Sequence, residues 1–210
     1  MVSLFTRLAN HLCSPQGGPL GHLLTLRMAR ANAPLNTWTL DLLDLRPTDR
    51  VLEIGCGPGH AIRQAARLAS EGHVAGLDHS PAMLRQAQTR NAAAIREERV
   101  DLRLFDVSQP LPYNDGAFDK IYAVQMLYFL PGPLPVLRDL RRVLAPGGLL
   151  AMTARAPETL AQSRFAQTGV YKLLREPQIK ALFQNAGFES VRIERAQFER
   201  GPAICALGTL

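Results

Sequence analysis

Three glycines stand at every second position in the stretch VLEIGCGPGH, residues 51–60, where an apolar run gives way to a loop. Gly55, Gly57 and Gly59 allow a tight turn and leave no Cβ between the main chain and a ligand. A helix that follows such a loop presents free N–H groups and a partial positive charge at its N-terminus. The stretch therefore predicts a site where a ligand lies against bare backbone, close to the acid Glu53.

The spacing of these glycines excludes two familiar phosphate-binding loops. A Walker loop ends in Gly-Lys-Ser or Gly-Lys-Thr, and this stretch has no such ending. A Gly-x-Gly-x-x-Gly dinucleotide fingerprint requires glycine at position 60 or 62, which are His60 and Ile62. Cys56, inside the loop, is interpreted as a small residue that fits there and not as a reactive thiol.

The elements around the loop alternate between strand and helix. Short apolar or alternating runs predict strands, and apolar residues at helical spacing predict helices between them. The predicted strands are 50–54, 73–78, 99–106, 118–124 and 149–156, and the predicted helices are 61–70, 80–95 and 133–145. Because helices separate the strands, we expect a mostly parallel sheet covered on both faces, with its ligand beyond the carboxyl ends of the strands.

The two ends of the chain depart from this alternation. Residues 175–188 predict a helix, and residues 189–196 and 203–210 predict two strands. Their link is too short for a parallel crossover, so these strands are expected to be antiparallel. Residues 1–46 predict helical segments broken at 14–21, and we expect them to pack over the edge of the sheet, near the carboxyl ends of its strands.

The chain is accordingly divided into an N-terminal helical cap or lid, 1–46, and a ligand-binding domain, 47–210, within one globular unit. Residues 157–174 form an insertion whose shape the sequence leaves open. Together with the cap, this insertion is expected to cover the site and to select what enters it.

Composition is that of an ordinary globular protein. Apolar residues make up 47% of the chain and charged residues 20%. No apolar run approaches the roughly 20 residues that crossing a bilayer requires. The net charge of +6 comes mainly from arginines spread along the chain, so no dedicated nucleic-acid patch is predicted.

Cysteine and histidine usage predicts no metal site. The 3 cysteines are scattered, which argues against a disulfide framework and fits a reducing cytoplasm. The 5 histidines lack the spacing of metal ligands. The first stretch, MVSLFTRLANHL, lacks the apolar core of a signal peptide, and both an amphipathic lid and a peripheral membrane contact stay open for it.

The motifs and their order resemble those of the class I S-adenosylmethionine (SAM)-dependent methyltransferases over residues 45–210. VLEIGCGPG matches the first motif of that family, and GLDHSPAML matches the end of its second strand. FDVSQPLPYNDGAFDKIYAV, LRRVLAPGGLLAMT and LFQNAGFESVRI match the later segments in the same order. The region after the fourth strand is similar to the small-molecule enzymes that include those of ubiquinone and menaquinone biosynthesis.

This resemblance implies a Rossmann-like, doubly wound α/β fold. The sheet would have seven strands, mostly parallel, with a C-terminal antiparallel hairpin and an N-terminal helical cap. It also implies that the cofactor is SAM. The residues implied to bind the cofactor are Glu53, Gly55, Cys56, Gly57, Gly59, Asp78, His79, Met83, Asp106, Val107 and Gln125.

The implied roles follow from the chemistry of the cofactor. Asp78 resembles the acid that accepts hydrogen bonds from both ribose hydroxyls. Glu53 resembles the acid that faces the ammonium group. Gln125 would carry a carbonyl toward the same group and border the methyl group. Asp106 resembles the acceptor of the adenine amine, with the backbone N–H of Val107 beside it. Leu77 and Met83 would enclose the adenine ring, and Gly55 and Gly57 would lie against the methionine portion and the ribose.

Each of these roles has a structural alternative. Glu53 lies near the end of a buried strand, where a carboxylate needs a hydrogen-bonding or charged partner, and an arginine is one possible partner. Asp106 is also suited to capping the next turn, and Met83 would be ordinary core in most contexts. His79 is interpreted as a polar loop residue near the adenosine.

Some classes of methyl acceptor are disfavoured by the sequence. Enzymes of this fold that methylate amino groups of DNA or RNA usually carry an Asn/Asp-Pro-Pro-aromatic element after strand four, whereas this chain has QMLYFL at 125–130. The Pro-Cys pair of the cytosine-C5 enzymes is absent, and three dispersed cysteines do not suit arsenic methylation. We therefore favour a small organic acceptor that is methylated on O, N or C by in-line displacement.

The residues expected near the acceptor are mostly walls of a pocket. No general base is assigned; the candidates near the pocket are Tyr128, Tyr171, His22 and Gln125. Arg27, Arg30 and Asn32 are placed to reach the methionine carboxylate or an anionic acceptor, or else form an exposed helix face. The acceptor expectation leaves open a phospholipid, RNA or protein methyltransferase and a non-catalytic SAM-binding partner subunit, and both a monomer and a homodimer.

Overall fold

The computed structural model describes residues 19–130, 132–162 and 172–210, with side chains from residue 29 onward. The helices are α1 (Pro19–Leu43), α2 (His60–Leu68), α3 (Pro81–Arg90), α4 (Ala92–Arg96), α5 (Pro133–Val143), α6 (Pro157–Ala161) and α7 (Glu176–Ala186), with a 3-10 turn at Leu127–Phe129. The strands are β1 (Arg50–Ile54), β2 (His73–Asp78), β3 (Val100–Leu104), β4 (Phe118–Val124), β5 (Leu144–Arg155), β6 (Ser190–Phe198) and β7 (Gly201–Thr209).

Within these residues the strands form one seven-stranded sheet in the order β3-β2-β1-β4-β5-β7-β6. Strands β1 to β5 pair in parallel, and β7 runs antiparallel to both β5 and β6. The predicted fold class is confirmed, including the C-terminal antiparallel hairpin. The order reverses at β1, so the carboxyl ends of β1 and β4 flank the crevice in which open α/β sheets bind ligands.

Apolar side chains fill both faces of the sheet. On one face, Leu43 of α1 and Ile62 of α2 pack with Val51 in a cluster of buried residues. On the other face, Leu137 of α5 and Phe183 of α7 belong to a second buried cluster. Each such side chain contributes about 1.5–3 kcal/mol by leaving water. The two cores hold the strands in register and so fix where the strand ends lie.

Helix α1 lies across a face of the sheet and not over its edge, where we expected it. The hydroxyl oxygens of Thr39 and Thr153 are hydrogen-bonded at 2.6 Å, which ties α1 to β5. One turn further, at the C-terminal end of the helix, the Lys120 ammonium donates to the Leu43 carbonyl at 2.8 Å. Positive charge is favourable at a helix C-terminus, where carbonyls are left without partners. The helix is continuous through Pro34, and the division of the chain at residue 46 stays a prediction.

The helix predicted over 80–95 is instead two helices that meet at Asn91. The buried Asn91 amide donates to the Ala87 carbonyl at 2.8 Å and to the Gly59 carbonyl at 3.1 Å. Asparagine side chains that bond to nearby backbone compete with helix continuation, which is why α3 ends here. The interruption therefore also fastens α3 to the glycine loop.

Candidate functional site

The glycine loop connects β1 to α2 and is pinned to the end of β2. The N–H groups of Gly55 and Cys56 both donate to the Leu77 carbonyl, at 2.8 and 3.0 Å. The backbone φ angles are +71° at Gly55, +53° at Gly57 and +75° at Gly59. Residues other than glycine adopt such backbone angles only at a cost in free energy, which explains why glycine stands at these three positions of the loop.

The three glycines differ in what surrounds them. A Cβ on Gly55 would lie 2.6 Å from the Met126 sulfur, and a Cβ on Gly59 would lie 2.8 Å from the Ala87 Cα. A Cβ on Gly57 would meet nothing within 4 Å. Close packing thus requires glycine at 55 and 59, whereas Gly57 faces open space. The bare backbone that a ligand can approach is at Gly57.

Asp78 ends β2 directly beside this open backbone. Its Oδ2 accepts a hydrogen bond from the Gly57 N–H at 2.7 Å, and its Oδ1 accepts one from the Ser80 N–H at 2.8 Å. Burial raises the pKa of the Asp78 carboxyl, while these two hydrogen bonds lower it. A carboxylate has about four acceptor positions. Two acceptor positions of the fixed Asp78 carboxylate are therefore left for hydroxyl donors of a ligand.

Glu53 is buried in β1, and its partner is a tyrosine and not an arginine. Its Oε2 accepts from the Tyr122 hydroxyl at 3.0 Å. Burial raises the pKa of Glu53 well above its ordinary value; the Tyr122 bond and the Ile62 N–H lower it, and the nearby Asp78 charge raises it. The Ile62 N–H belongs to the first turn of α2, so this carboxyl lies at the positive end of that helix.

The residues around Asp78 divide between loop and core. His79 is half-exposed, with its Nδ1 3.9 Å from the Asp78 Oδ1. The Met83 N–H donates to the Ser80 hydroxyl oxygen at 3.4 Å, so Ser80 caps α3 as its type and position predict. The Leu77 side chain is 1% exposed and lies in the core. Enclosure of an adenine ring by Leu77 and Met83 stays a prediction.

Asp106 lies on an exposed turn after β3. Its Oδ1 accepts from the Ser108 N–H at 2.9 Å, which lowers the pKa of Asp106. The side chain thus caps the turn, as the structural alternative expects. The Phe105 N–H donates to the Asp78 carbonyl at 2.9 Å, which brings this turn next to the end of β2. The adenine contacts of Asp106 and the half-buried Val107 stay predictions.

Gln125, which follows β4, has an unusual backbone. Its φ is +63°, a left-handed value that costs a non-glycine residue about 1–3 kcal/mol. The Gln125 N–H donates to the Thr153 carbonyl at 2.7 Å, and its side-chain Oε1 accepts from the Arg155 N–H at 2.9 Å. The end of β5 therefore fixes the strained turn after β4, and the next residue, Met126, packs against Gly55.

The candidate acceptor residues are only partly within the described chain. Tyr128 is 7% exposed and packs edge-on against Phe129 with ring centroids 4.5 Å apart. Arg30 is exposed. Tyr171 and the side chain of Arg27 lie outside the described residues.

Two polar residues at this site were not found from the sequence. Asn91 fastens the glycine loop, and Arg155 is buried at the carboxyl end of β5. Arg155 ends an otherwise apolar strand, LLAMTAR, and that break in pattern is the signal available in the sequence. Asn91 gives no comparable signal, because its contact depends on the packing of α3.

The residues present fit SAM. Open space lies over the main chain at Gly57, and the adjacent Asp78 carboxylate is fixed with acceptor positions to spare. Glu53 adds a second buried carboxyl near the same loop. Across residues 19–130, 132–162 and 172–210, no three His, Cys, Asp or Glu side chains are grouped so that they could hold a metal ion. In the same part of the chain, no helix is both long enough and apolar enough to cross a membrane.

Fold and site together define a Rossmann-like protein of the kind that binds a nucleoside cofactor. The sheet is doubly wound, and a glycine loop after β1 meets a carboxylate at the end of β2. Residues 52–152, from β1 into β5, match the family described as the methyltransferase domain. This part of the chain is a methyltransferase domain with the fold of the class I SAM-dependent methyltransferases, and SAM is the cofactor of that class.

Individual proteins support this assignment. The chain is 28% identical over 180 residues to the uncharacterized methyltransferase YdaC of Bacillus subtilis (strain 168), covering 85% of this chain and 93% of that protein. It is 39% identical over 112 residues to 27-O-demethylrifamycin SV methyltransferase of Amycolatopsis mediterranei (strain S699), covering 53% of this chain and 40% of that protein.

A solved structure shares the fold over the full length of the chain. It belongs to the complex between the Trm112 methyltransferase activator of Haloferax volcanii and a candidate methyltransferase, with a TM-score of 0.78 and 16% identity, and covers 100% of this chain and 98% of that one. At that identity the likeness shows the fold alone. The ubiquinone-like subgroup that the sequence favoured is not among these findings and stays a prediction.

Proposed function

We propose that this protein transfers the methyl group of SAM to a small organic acceptor, on O, N or C, by in-line displacement. The observation that carries the proposal is the fixed Asp78 carboxylate beside the open backbone of Gly57. That pair offers two free acceptor positions and an unobstructed main chain, which suit a ribose diol and the chain attached to it.

The cofactor roles assigned from the family resemblance agree with the local chemistry. Asp78 would accept from the ribose hydroxyls, and Glu53 would counter the ammonium group. The Gln125 carbonyl would point toward the same ammonium. Asp106 and the Val107 N–H would bind the adenine edge. Gly55, Cys56, Gly57, Gly59, His79 and Met83 would shape the walls around the cofactor.

When bound, SAM supplies a methyl group attached to a positively charged sulfur, and the thioether formed when the methyl group departs is a good leaving group. The residues of the chain then have to align the acceptor with that methyl group and keep water away. Such alignment lowers a barrier by up to about 7–11 kcal/mol in favourable cases. The strained turn at Gln125, held by Thr153 and Arg155, is suited to this task because it is rigid.

A small acceptor is supported by two observations. The segment QMLYFL after β4 lacks the Asn/Asp-Pro-Pro-aromatic element of nucleic-acid amino methylation. One relative that shares the central part of the chain is named for a rifamycin precursor, which is a small molecule. The segment 157–174 and the part of residues 1–46 that precedes the sheet-packed Thr39 would close over the acceptor.

The test is to incubate the full chain with SAM and a metabolite extract and to detect products heavier by one CH₂ by mass spectrometry. Formation of methylated products should require Asp78, so the Asp78→Ala variant gives the background level of product. Asp101→Asn is the matched control, because Asp101 lies on the neighbouring strand in an exposed pair with Arg103. Methylated metabolites formed by the unaltered protein and by Asp101→Asn, but not by Asp78→Ala, would support the proposal.

Other results would contradict it in distinguishable ways. Products that appear only in RNA, protein or phospholipid fractions would replace the small acceptor with one of those classes. SAM binding without any product, in every fraction, would point to a non-catalytic SAM-binding subunit. No SAM binding would refute the assignment of the site itself.

A further inference from the structure

The Arg155 guanidinium is a buried cation at the carboxyl end of β5. The residue is 8% exposed. Its Nη1 donates to the Gly201 carbonyl at 3.1 Å and its Nη2 to the Ala31 carbonyl at 3.4 Å. The guanidinium also lies 5.8 Å from the centre of the Phe198 ring. A guanidinium has five N–H donors, so these neutral partners use only part of its capacity.

No carboxylate of the described residues lies within ion-pair distance of Arg155. The rest of the chain cannot supply one either, since residues 1–28, 131 and 163–171 contain no Asp or Glu. Burial lowers the pKa of the Arg155 guanidinium, and the positive charge of Arg200 lowers it further. Buried charges in proteins are normally paired, because burying an uncompensated charge costs on the order of several kcal/mol. The fold thus holds a cation that lacks a negative partner.

The position of Arg155 connects it to the proposed site. Its main-chain N–H holds the Gln125 side chain, and Gln125 is the residue expected to border the transferred methyl group. Tyr128, a candidate wall of the acceptor pocket, raises the pKa of the Arg155 guanidinium. The strands β1, β4 and β5 are parallel, so their carboxyl ends lie along one edge of the sheet.

From this placement we infer that Arg155 receives an anionic group, a carboxylate or a phosphate, of the methyl acceptor. The inference rests on the proposed function and narrows its substrate class to small organic acids or phosphate esters. Guanidinium is suited to either group because its planar fork donates two parallel hydrogen bonds to a pair of oxygens. The same chemistry has a second source, the methionine carboxylate of the cofactor, and the experiment has to separate the two.

The first measurement uses the full chain saturated with S-adenosylhomocysteine, so that any cofactor carboxylate site is already filled. The Nε–Hε NMR signal of Arg155, assigned by its loss in Arg155→Lys, is followed during titration with acetate and with inorganic phosphate. We expect a saturable shift with both anions and none with chloride at equal ionic strength. A signal that responds to no anion beyond the chloride control would overturn the inference.

The second measurement compares variants in the metabolite-extract reaction. Arg155→Gln should lower product formation about tenfold or more, the usual loss for a hydrogen bond to a charged group, while the SAM affinity changes less than about twofold. Arg155→Lys should recover part of the product, which a purely structural role of the guanidinium does not predict. Arg141→Gln is the matched control, since Arg141 also donates to a backbone carbonyl, that of Gly187, at 2.8 Å.

The consumed metabolite identifies the source of the anion. It should be retained on an anion-exchange column, as a carboxylate or phosphate is. If the consumed metabolite is neutral, or if Arg155→Gln weakens SAM binding tenfold instead, the guanidinium does not serve the acceptor and the inference is wrong. Failure of the unaltered protein to bind SAM would remove the proposed function, whereas SAM-dependent methylation of a neutral acceptor would remove this inference alone.

Discussion

The Gly57 N–H donates to the Asp78 carboxylate at 2.7 Å, across the gap between the loop after β1 and the end of β2. The hydrogen bond joins the one glycine of the loop that faces open space to the acid expected to hold the ribose. Asp78 therefore has a structural task as well as a binding task. It fixes the loop before any ligand arrives, so less ordering is left for binding to drive.

Replacement of Asp78 by alanine should weaken SAM binding beyond detection and also destabilise the protein. The variant leaves the N–H groups of Gly57 and Ser80 without their acceptor, at a cost of about 1–3 kcal/mol each where they stay dry. Calorimetry of SAM measures the binding, and urea unfolding measures the stability. Asp101→Asn should change neither by much, because Asp101 is exposed. Undiminished SAM affinity in Asp78→Ala would refute the ribose role.

Alanine at position 57 and alanine at position 59 should destabilise the protein by different amounts. Gly59→Ala places a Cβ 2.8 Å from the Ala87 Cα, and Gly57→Ala places one in open space. In both variants the left-handed φ of a non-glycine residue costs about 1–2 kcal/mol of stability, but only Gly59→Ala adds a clash with the backbone. Gly59→Ala should therefore unfold at lower urea concentration than Gly57→Ala.

Valine substitutions at the same two glycines should differ in their effect on SAM binding. Gly57→Val should lose SAM binding and turnover, because its side chain fills the space that the ligand needs, while it stays more stable than Gly59→Val. The comparison needs only urea unfolding and SAM calorimetry on folded protein. Normal turnover by Gly57→Val would show that the cofactor does not lie against residue 57.

The alternation of strands and helices, and the acidic residues near the strand ends, were predictable because they depend on local patterns. Apolar strands, amphipathic helices and the glycine loop each have a period or a composition that a sequence displays. The carboxylates at Glu53 and Asp78 were singled out for the same reason, since each lies at or near the end of an apolar strand.

The contacts that hold the site were not predictable, because they join residues distant in the chain. The Asn91 amide reaches Gly59 only after α3 has packed, and Tyr122 reaches Glu53 from the adjacent strand β4, 69 residues further along the chain. Arg155 was passed over because an arginine at a strand end is usually exposed. The predicted position of α1 was wrong for a related reason. The apolar residues of the helix show that it packs against another part of the protein, but they do not show which surface it covers.

Replacement of Asn91 by alanine should loosen the glycine loop, although Asn91 itself is not expected to contact the cofactor. The Asn91 amide supplies hydrogen bonds to the carbonyls of Ala87 and Gly59, and its loss should cost about 1–3 kcal/mol. SAM affinity should fall as well, since the loop is less ordered. Thr89→Ala is the control, because the Thr89 hydroxyl also donates to a backbone carbonyl of α3 but is exposed. Equal stability of the two variants would show that the Asn91 contact is not needed.

The raised pKa of Glu53 should make both stability and SAM binding depend on pH. The folded protein keeps a proton on Glu53 at pH values above 4.5, the ordinary value, where the unfolded chain releases it. Stability should therefore fall as pH rises from 4.5 toward the raised pKa, and Glu53→Gln should lose that part of the slope in urea unfolding. Tyr122→Phe should extend this fall in stability to higher pH, because it removes the hydrogen bond that lowers the pKa of Glu53.

The same carboxyl should couple SAM binding to pH. An ammonium group bound beside Glu53 favours the ionised form, so SAM binding below the raised pKa should release protons. Calorimetry in two buffers of different ionisation enthalpy measures that release, which should shrink in Glu53→Gln and persist in Glu97→Gln, whose carboxylate is exposed and paired with Arg99. Some release should remain in Glu53→Gln, because the pKa of Asp78 is also raised. Proton release that is the same in Glu53→Gln as in the unaltered protein would place the ammonium group away from Glu53.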